Sequence, residues 1–191
     1  MVRTLILLIL VFACHVPGLS QTSISGFGLA DKLVYVASAL GVASAASKDY
    51  INVFNASGSG KVLRILRISA TVDSQAAVTG LQPGFTVSRY TTDGATCTSI
   101  TPVGLDTNNP SLPSQVTAKT NCTTDPTGLT NLFRLSLYAD ETQQATRDMF
   151  ISAGLGQTVT LREGQGITLI SGGTAPAGVI SISIFFTLDD A

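Results

Sequence analysis

Ile180-Ser181-Ile182-Ser183-Ile184-Phe185-Phe186-Thr187-Leu188 decides the fold class. Ile180, Ile182, Ile184, Phe186 and Leu188 fall on one side, and Ser181, Ser183 and Thr187 on the other. A period of two over nine residues marks a strand with one dry and one wet face, since a helix repeats every 3.6 residues. Residues 131–138 alternate in the same way, with Phe133, Leu135 and Leu137 against Arg134 and Ser136. In residues 157–162, Val159 and Leu161 oppose Thr158, Thr160 and Arg162, and Gly164-Gln165-Gly166 turns the chain into a run at 167–171.

Working towards the N-terminus, further strands are expected at 50–55, 61–73, 84–90, 95–101, 115–119 (an edge strand) and 149–153. Val62, Leu63, Ile65, Leu66 and Ile68 point to both sides of the 61–73 run, which predicts partial burial on two faces. Thr92-Asp93-Gly94 reads as the turn joining 84–90 to 95–101. Residues 29–46 are Ala-rich. Leu29, Leu33, Val36, Leu40 and Ala43 fit a helical stripe, but Leu33 to Val36 suits a strand, which is the reading adopted. Residues 140–148 are polar and fit one helical turn or a plain loop. Eight to ten strands separated by turns predict an all-β, two-sheet antiparallel sandwich. Long loops favour a jelly roll, and the absence of Trp removes the immunoglobulin hallmark.

Composition narrows the function. Of the 191 residues, 12% are charged and 45% hydrophobic, which excludes a charge-rich disordered chain. Eleven Lys and Arg against twelve Asp and Glu leave no basic surplus for nucleic acid. The first twenty residues read as an export signal: Arg3, an unbroken apolar run at 5–13, then Pro17 and the small residues Gly18 and Ser20 ahead of a cut before Gln21. A buried structural helix is the alternative. The run is about half of the ~20 residues that span a bilayer, so no membrane span is expected. Val11-Phe12-Ala13-Cys14 also loosely fits a lipobox, which would anchor the chain by lipid at Cys14. Residues 21–30 then form an extended arm ahead of one sandwich domain at 31–191, with Ile24, Phe27 and Leu29 available to donate a strand to a neighbour's sheet. A disordered terminus is the competing reading of the arm.

Export also sets the cysteine chemistry. Cys97 and Cys122 remain in the mature chain, and outside the cytosol they are expected to form a disulfide. Such a bridge closes a loop holding Pro102, Pro110 and Pro113, and constrains the unfolded chain by about 3–4 kcal/mol. Free thiols or a bridge between subunits are the alternatives. Asn55-Ala56-Ser57 and Asn121-Cys122-Thr123 match the N-glycosylation acceptor pattern.

Catalytic sets are poorly represented. The single histidine, His15, leaves with the signal, so Ser-His-Asp and Cys-His chemistry lack their base. No Lys stands in a Ser-x-x-Lys arrangement. Ser57-Gly58-Ser59-Gly60-Lys61 looks like a phosphate loop, but Asn55 and Val62 occupy the positions that need Gly and Ser or Thr. It reads instead as a hairpin turn. Glycosidase work uses paired carboxylates, but Asp140-Glu141 and Asp189-Asp190 are paired only in sequence: strand neighbours point to opposite faces, and the chain is poor in aromatics for a cleft. Asp106, Asn108 and Asn109 supply loop oxygens for calcium, but not at EF-hand spacing. No enzyme, cofactor or metal is therefore expected. Arg64, Arg67, Arg89, Arg134 and Arg162 lie in expected strands, where such side chains cover a sheet face or pair with Asp.

The run Tyr50-Ile51-Asn52-Val53-Phe54-Asn55, with Ser57-Gly58-Ser59-Gly60-Lys61 and Arg64, resembles openings of single jelly-roll structural proteins of phage particles and microbial surfaces. Leu161-Arg162-Glu163-Gly164-Gln165-Gly166-Ile167 and the closing strand are similar too. The resemblance covers about half of the mature chain. It implies a sandwich that assembles with copies of itself, and it carries no functional residue over. The export signal departs from a phage capsid protein and favours a secreted or cell-surface location. The expectation is an exported structural subunit of a layer, fibre or pilus-like filament. A secreted module that binds a glycan or protein through the loop at 102–113 is the alternative.

Overall fold

A computed structural model describes residues 32–43, 45–74, 84–137, 146–150, 158–172 and 178–191. The expected signal at 1–20, Cys14, and the arm with Ile24, Phe27 and Leu29 lie outside these residues, as do 140–145 of the polar segment. The described chain is all-β. Its strands are β1 (Val34–Ala43), β2 (Asp49–Asn55), β3 (Lys61–Ser74), β4 (Gly84–Tyr90), β5 (Thr98–Ile100), β6 (Val103–Gly104), β7 (Val116–Thr120), β8 (Thr130–Ser136), β9 (Thr146–Phe150), β10 (Val159–Leu161), β11 (Gln165–Ser171) and β12 (Val179–Asp190).

Two antiparallel sheets pack as a sandwich. The first has the order β10-β3-β12-β1-β6, with β9 also on β3; the second runs β5-β7-β2-β11-β4-β8. Most sequence-adjacent strands sit in different sheets: β1 to β2, β2 to β3, β3 to β4, β10 to β11 and β11 to β12 all cross over. The orders β1-β12-β3-β10 and β2-β11-β4-β8 are jelly-roll wiring. The segment from β5 to β7 is an insertion in this frame and extends both sheets.

The opening strand motif behaves as read. Ile180, Ile182, Ile184 and Phe186 are buried in the core, facing Ile51, Val53, Ile167 and Leu169 of the second sheet. Leu188 packs at its margin. The expected partial burial of 61–73 on two faces holds at Val62 and Leu63, which are both buried, and a bulge accounts for the rest of the pattern. Between Arg67↔Phe185 and Ile65↔Phe186 the register slips by one residue at Leu66. This bulge resets the alternation, so Leu63 and Ile65 on one side of it, and Ile68, Ala70 and Val72 on the other, all turn into the core. The outward face stays half-open, with Arg67 lying 5.0 Å over the ring of Phe185.

Three other expectations change. Residues 95–101 form only the short β5, and Thr92-Asp93-Gly94 does not close a hairpin: β4 pairs with β11 and β8, and β5 with β7. The 115–119 run is not an edge, because β7 lies between β5 and β2. The glycine-rich turn at 57–61 joins β2 to β3 across the two sheets, so it is a corner and not a hairpin. The strand reading of 29–46 holds for β1.

Candidate functional site

Three places gather the residues that sequence chemistry singled out. The first is the corner between β2 and β3. Its glycines leave backbone N–H groups pointing one way, and those of Gly58 and Gly60 donate to the Glu163 carboxylate at 3.2 and 2.7 Å. The Gly60 and then the Gly58 amide hold that exposed carboxyl below its ordinary range. The phosphate-loop lookalike is thus an anion nest filled by the chain's own anion. Asn55 sits behind it. Its Nδ2 donates to the carbonyls of Lys61 (2.8 Å) and Leu161 (3.3 Å), and its own carbonyl accepts from Gly164 N–H (2.7 Å). Asn55, one of the two glycosylation-pattern residues, is 0% exposed, and its amide is enclosed and donates twice. Asn121 is exposed, in the left-handed region at φ 52°. The two motifs that carry the jelly-roll resemblance meet here, with Asn55 paired to Gln165.

The second place lies on the side of the second sheet away from the core. The alternation that sends Ile51, Val53, Ile167 and Leu169 inward sends Asn52, Phe54, Gly166 and Thr168 outward, yet these are not left to solvent. A flap covers them. It is built from residues 91–97 and 121–128, tied by Thr92↔Thr127 and Ala95↔Thr124 pairing and by the Cys97–Cys122 disulfide. Under it, Asp49 is 1% exposed; it accepts from Thr168 Oγ1 at 2.7 Å and from Asn52 Nδ2. Asn52 Nδ2 also reaches Cys122 Sγ at 3.4 Å, and Tyr90 O–H donates to Asn52 Oδ1 at 3.3 Å. Burial lifts the Asp49 carboxyl to about 6 against two neutral donors, with Asp125 and Asp93 pushing the same way. Lys119 is spent on Asp93 at 2.5 Å. The rings of Phe54 and Tyr90 stack at 5.5 Å above Gly166, where an added Cβ would lie 2.2 Å from Tyr90 Cζ. Sequence reading missed Asp49, which lies just ahead of the expected strand at 50–55; one partner, Asn52, is three residues on, but the other, Thr168, is 119 residues away.

The third place is the proline-rich loop. It is fastened to β1: Tyr35 O–H donates to the Pro110 carbonyl (2.8 Å), Asn109 Nδ2 to the Val34 carbonyl (2.9 Å) and Leu105 N–H to the same carbonyl (2.9 Å). Asp106 accepts from Asn108 N–H at 2.8 Å, so the oxygens considered for calcium shape the loop itself. Among the described residues no group of three or more His, Cys, Asp or Glu is placed to hold a metal. A cleft of about 360 Å³ opens between β5 and residues 111–114. A second, of about 630 Å³, lies between residues 110–113 and the charged ends of β3 and β12. In the latter, Lys32 (2.5 Å) and Arg64 both hold Asp189, and Lys61 holds Asp190 at 2.6 Å. The Lys32 hydrogen bond, then that from Arg64, keeps the Asp189 carboxyl below its usual range.

Large apolar side chains also face water on β1, on β6 and just after β6. Leu40 is 72% exposed, Leu105 60% and Val103 57%. Sequence reading placed Leu40 on a helical stripe and did not single out Val103 or Leu105. Among the described residues no helix is long and apolar enough to cross a membrane. Comparison with protein-family models, with curated proteins and with solved structures finds no match.

Proposed function

We propose that this chain is an exported structural subunit that assembles with copies of itself into a surface layer, fibre or filament, and that its role is mechanical. The observation that carries the reading is the apolar group at Leu40, Val103 and Leu105, on a sandwich whose other large apolar residues are mostly packed away. Large apolar side chains left to water on neighbouring strands favour a contact surface there. The polar groups described above act on the fold itself. Glu163 fills the nest, Asp189 and Asp190 are held by cations, and Asp49 is enclosed by Thr168 and Asn52. An oxidising location outside the cell suits the Cys97–Cys122 bridge. Electron microscopy and light scattering of the chain starting at Gln21 test the reading: ordered polymers or defined oligomers are expected, and a monomer at all concentrations sinks it.

A second reading, a binding module, is favoured by the two clefts flanking the proline loop. The first is lined largely by Ser, Thr and Pro, and the second by charged side chains with Tyr35 as an aromatic wall. A glycan array probed with the same protein separates the two, because only the binding reading expects a saturable hit that Ser111→Trp abolishes.

A further inference from the structure

One lane beside β1 is half filled. β6 occupies it at Tyr35↔Gly104 and Val36↔Val103. Among the described residues no strand continues the lane past Val36, so residues 37–43 border it with unpaired backbone. A bulge at Leu40-Gly41 opposes two residues to Ser181, with Gly41 at φ 64° and its N–H donating to Ser181 Oγ at 3.0 Å. The bulge leaves Leu40 exposed beside the stretch that no described strand pairs, and Val103 marks where β6 pairs with β1. β1 carries no charge from Val34 to Ala43, whereas the open edge of β8 carries Arg134, a common guard against strand addition.

We propose that this lane receives residues 21–31 of a second copy as an added strand. The inference rests on the assembly reading above and names its acceptor. Reach favours a second copy over the same chain. A cut before Gln21 leaves eleven residues ahead of Lys32, which extend to about 36 Å at about 3.3 Å each. Covering residues 37–43 takes about 23 Å of that. A segment returning from its own Lys32 must also pass the positions that β6 blocks, about 17 Å more, and step around a strand about 5 Å wide. That total exceeds the length available, and an arm arriving from a neighbour meets no such detour. Ile24, Phe27 and Leu29 bring apolar side chains to Leu40 and Val103, while Ser25, Gly26 and Gly28 keep the backbone close to the edge.

The test uses the chain from Gln21 onward, and both substitutions fall on exposed side chains. Leu40→Glu with Val103→Glu is expected to weaken assembly by about tenfold or more in light scattering, with an unchanged thermal midpoint. In a mixed sample, a copy lacking residues 21–30 and carrying Leu40→Cys should cross-link to a full copy carrying Phe27→Cys. Full-size assembly of the double variant, or no cross-link between the two copies, overturns the acceptor and leaves the assembly reading standing. A wild-type chain that stays monomeric overturns both.

Discussion

The two sheets share a core but treat their other faces in opposite ways. Outside the first sheet, Ser38, Ser69 and Ser183 lie in one row and remain half-exposed, joined by a Ser38–Ser183 hydroxyl contact of 2.8 Å. Outside the second, Asp49, Asn52, Ser88 and Thr168 are buried beneath a disulfide-tied flap. Ser38, Ser69 and Ser183 on the first sheet keep their water, although Thr187 farther along β12 is buried, whereas the buried polar residues of the second need a partner within the protein. The same residue types are therefore replaceable on one sheet and committed on the other.

The largest effect that tests this contrast is loss of the flap's tie. Cys97→Ser with Cys122→Ser should lower stability by about 3 kcal/mol in urea unfolding, since the bridge closes a loop of 25 residues. A loss well under 1 kcal/mol would mean that the flap holds without it. Next is Gly166→Ala, whose methyl must displace the Tyr90 ring; about 1–3 kcal/mol is expected, read from the denaturant midpoint.

Asp49→Asn acts through pH. The folded carboxyl titrates near 6 and the unfolded one near 3.8, so between those values only the folded protein holds the proton. Asp49 therefore costs stability as pH rises through that window, by on the order of 3 kcal/mol in all. The asparagine variant should gain stability at pH 7.5 and lose this slope, measured by unfolding at pH 4.5, 5.5 and 7.5. Asp189 has the opposite sign: its lowered value adds stability at neutral pH that is lost as the solution is acidified below the ordinary carboxylate range. Smallest is Ser183→Ala on the open side, expected within about 0.5 kcal/mol because water replaces the lost contact. A larger loss there would erase the distinction between the faces.

This contrast also explains what the sequence made legible. β12 announces itself because its two faces meet different solvents, so Ser and Ile alternate without interruption. β2 and β11 are buried on both faces, and their mixture of Asn52, Thr168 and aliphatic residues shows no clean period. β1 and β3 are each broken by a bulge, at Leu40-Gly41 and at Leu66, which blurs a period of two into something close to helical spacing or two-sided burial. Thr92-Asp93-Gly94 has good turn chemistry, but turn chemistry is local, and β4 finds its partner β11 only after the whole insertion. Cys97 and Cys122 were readable as a pair because the expected removal of the first twenty residues would leave two thiols. Glu163 was not readable as the occupant of the nest, since Gly60 stands 103 residues away.

The antiparallel pairing of β1 with β12 places Val34 opposite Thr187, so the described chain starts and stops at the same end of the sandwich, where Lys32 grips Asp189. Force applied across those two points loads this pair like a zipper, breaking one rung at a time, and the domain yields at low tension. Force carried sideways through a strand lying along β1 loads many rungs together in shear. A polymer linked in that second way would resist stretching far better than any tandem fusion joined through its ends.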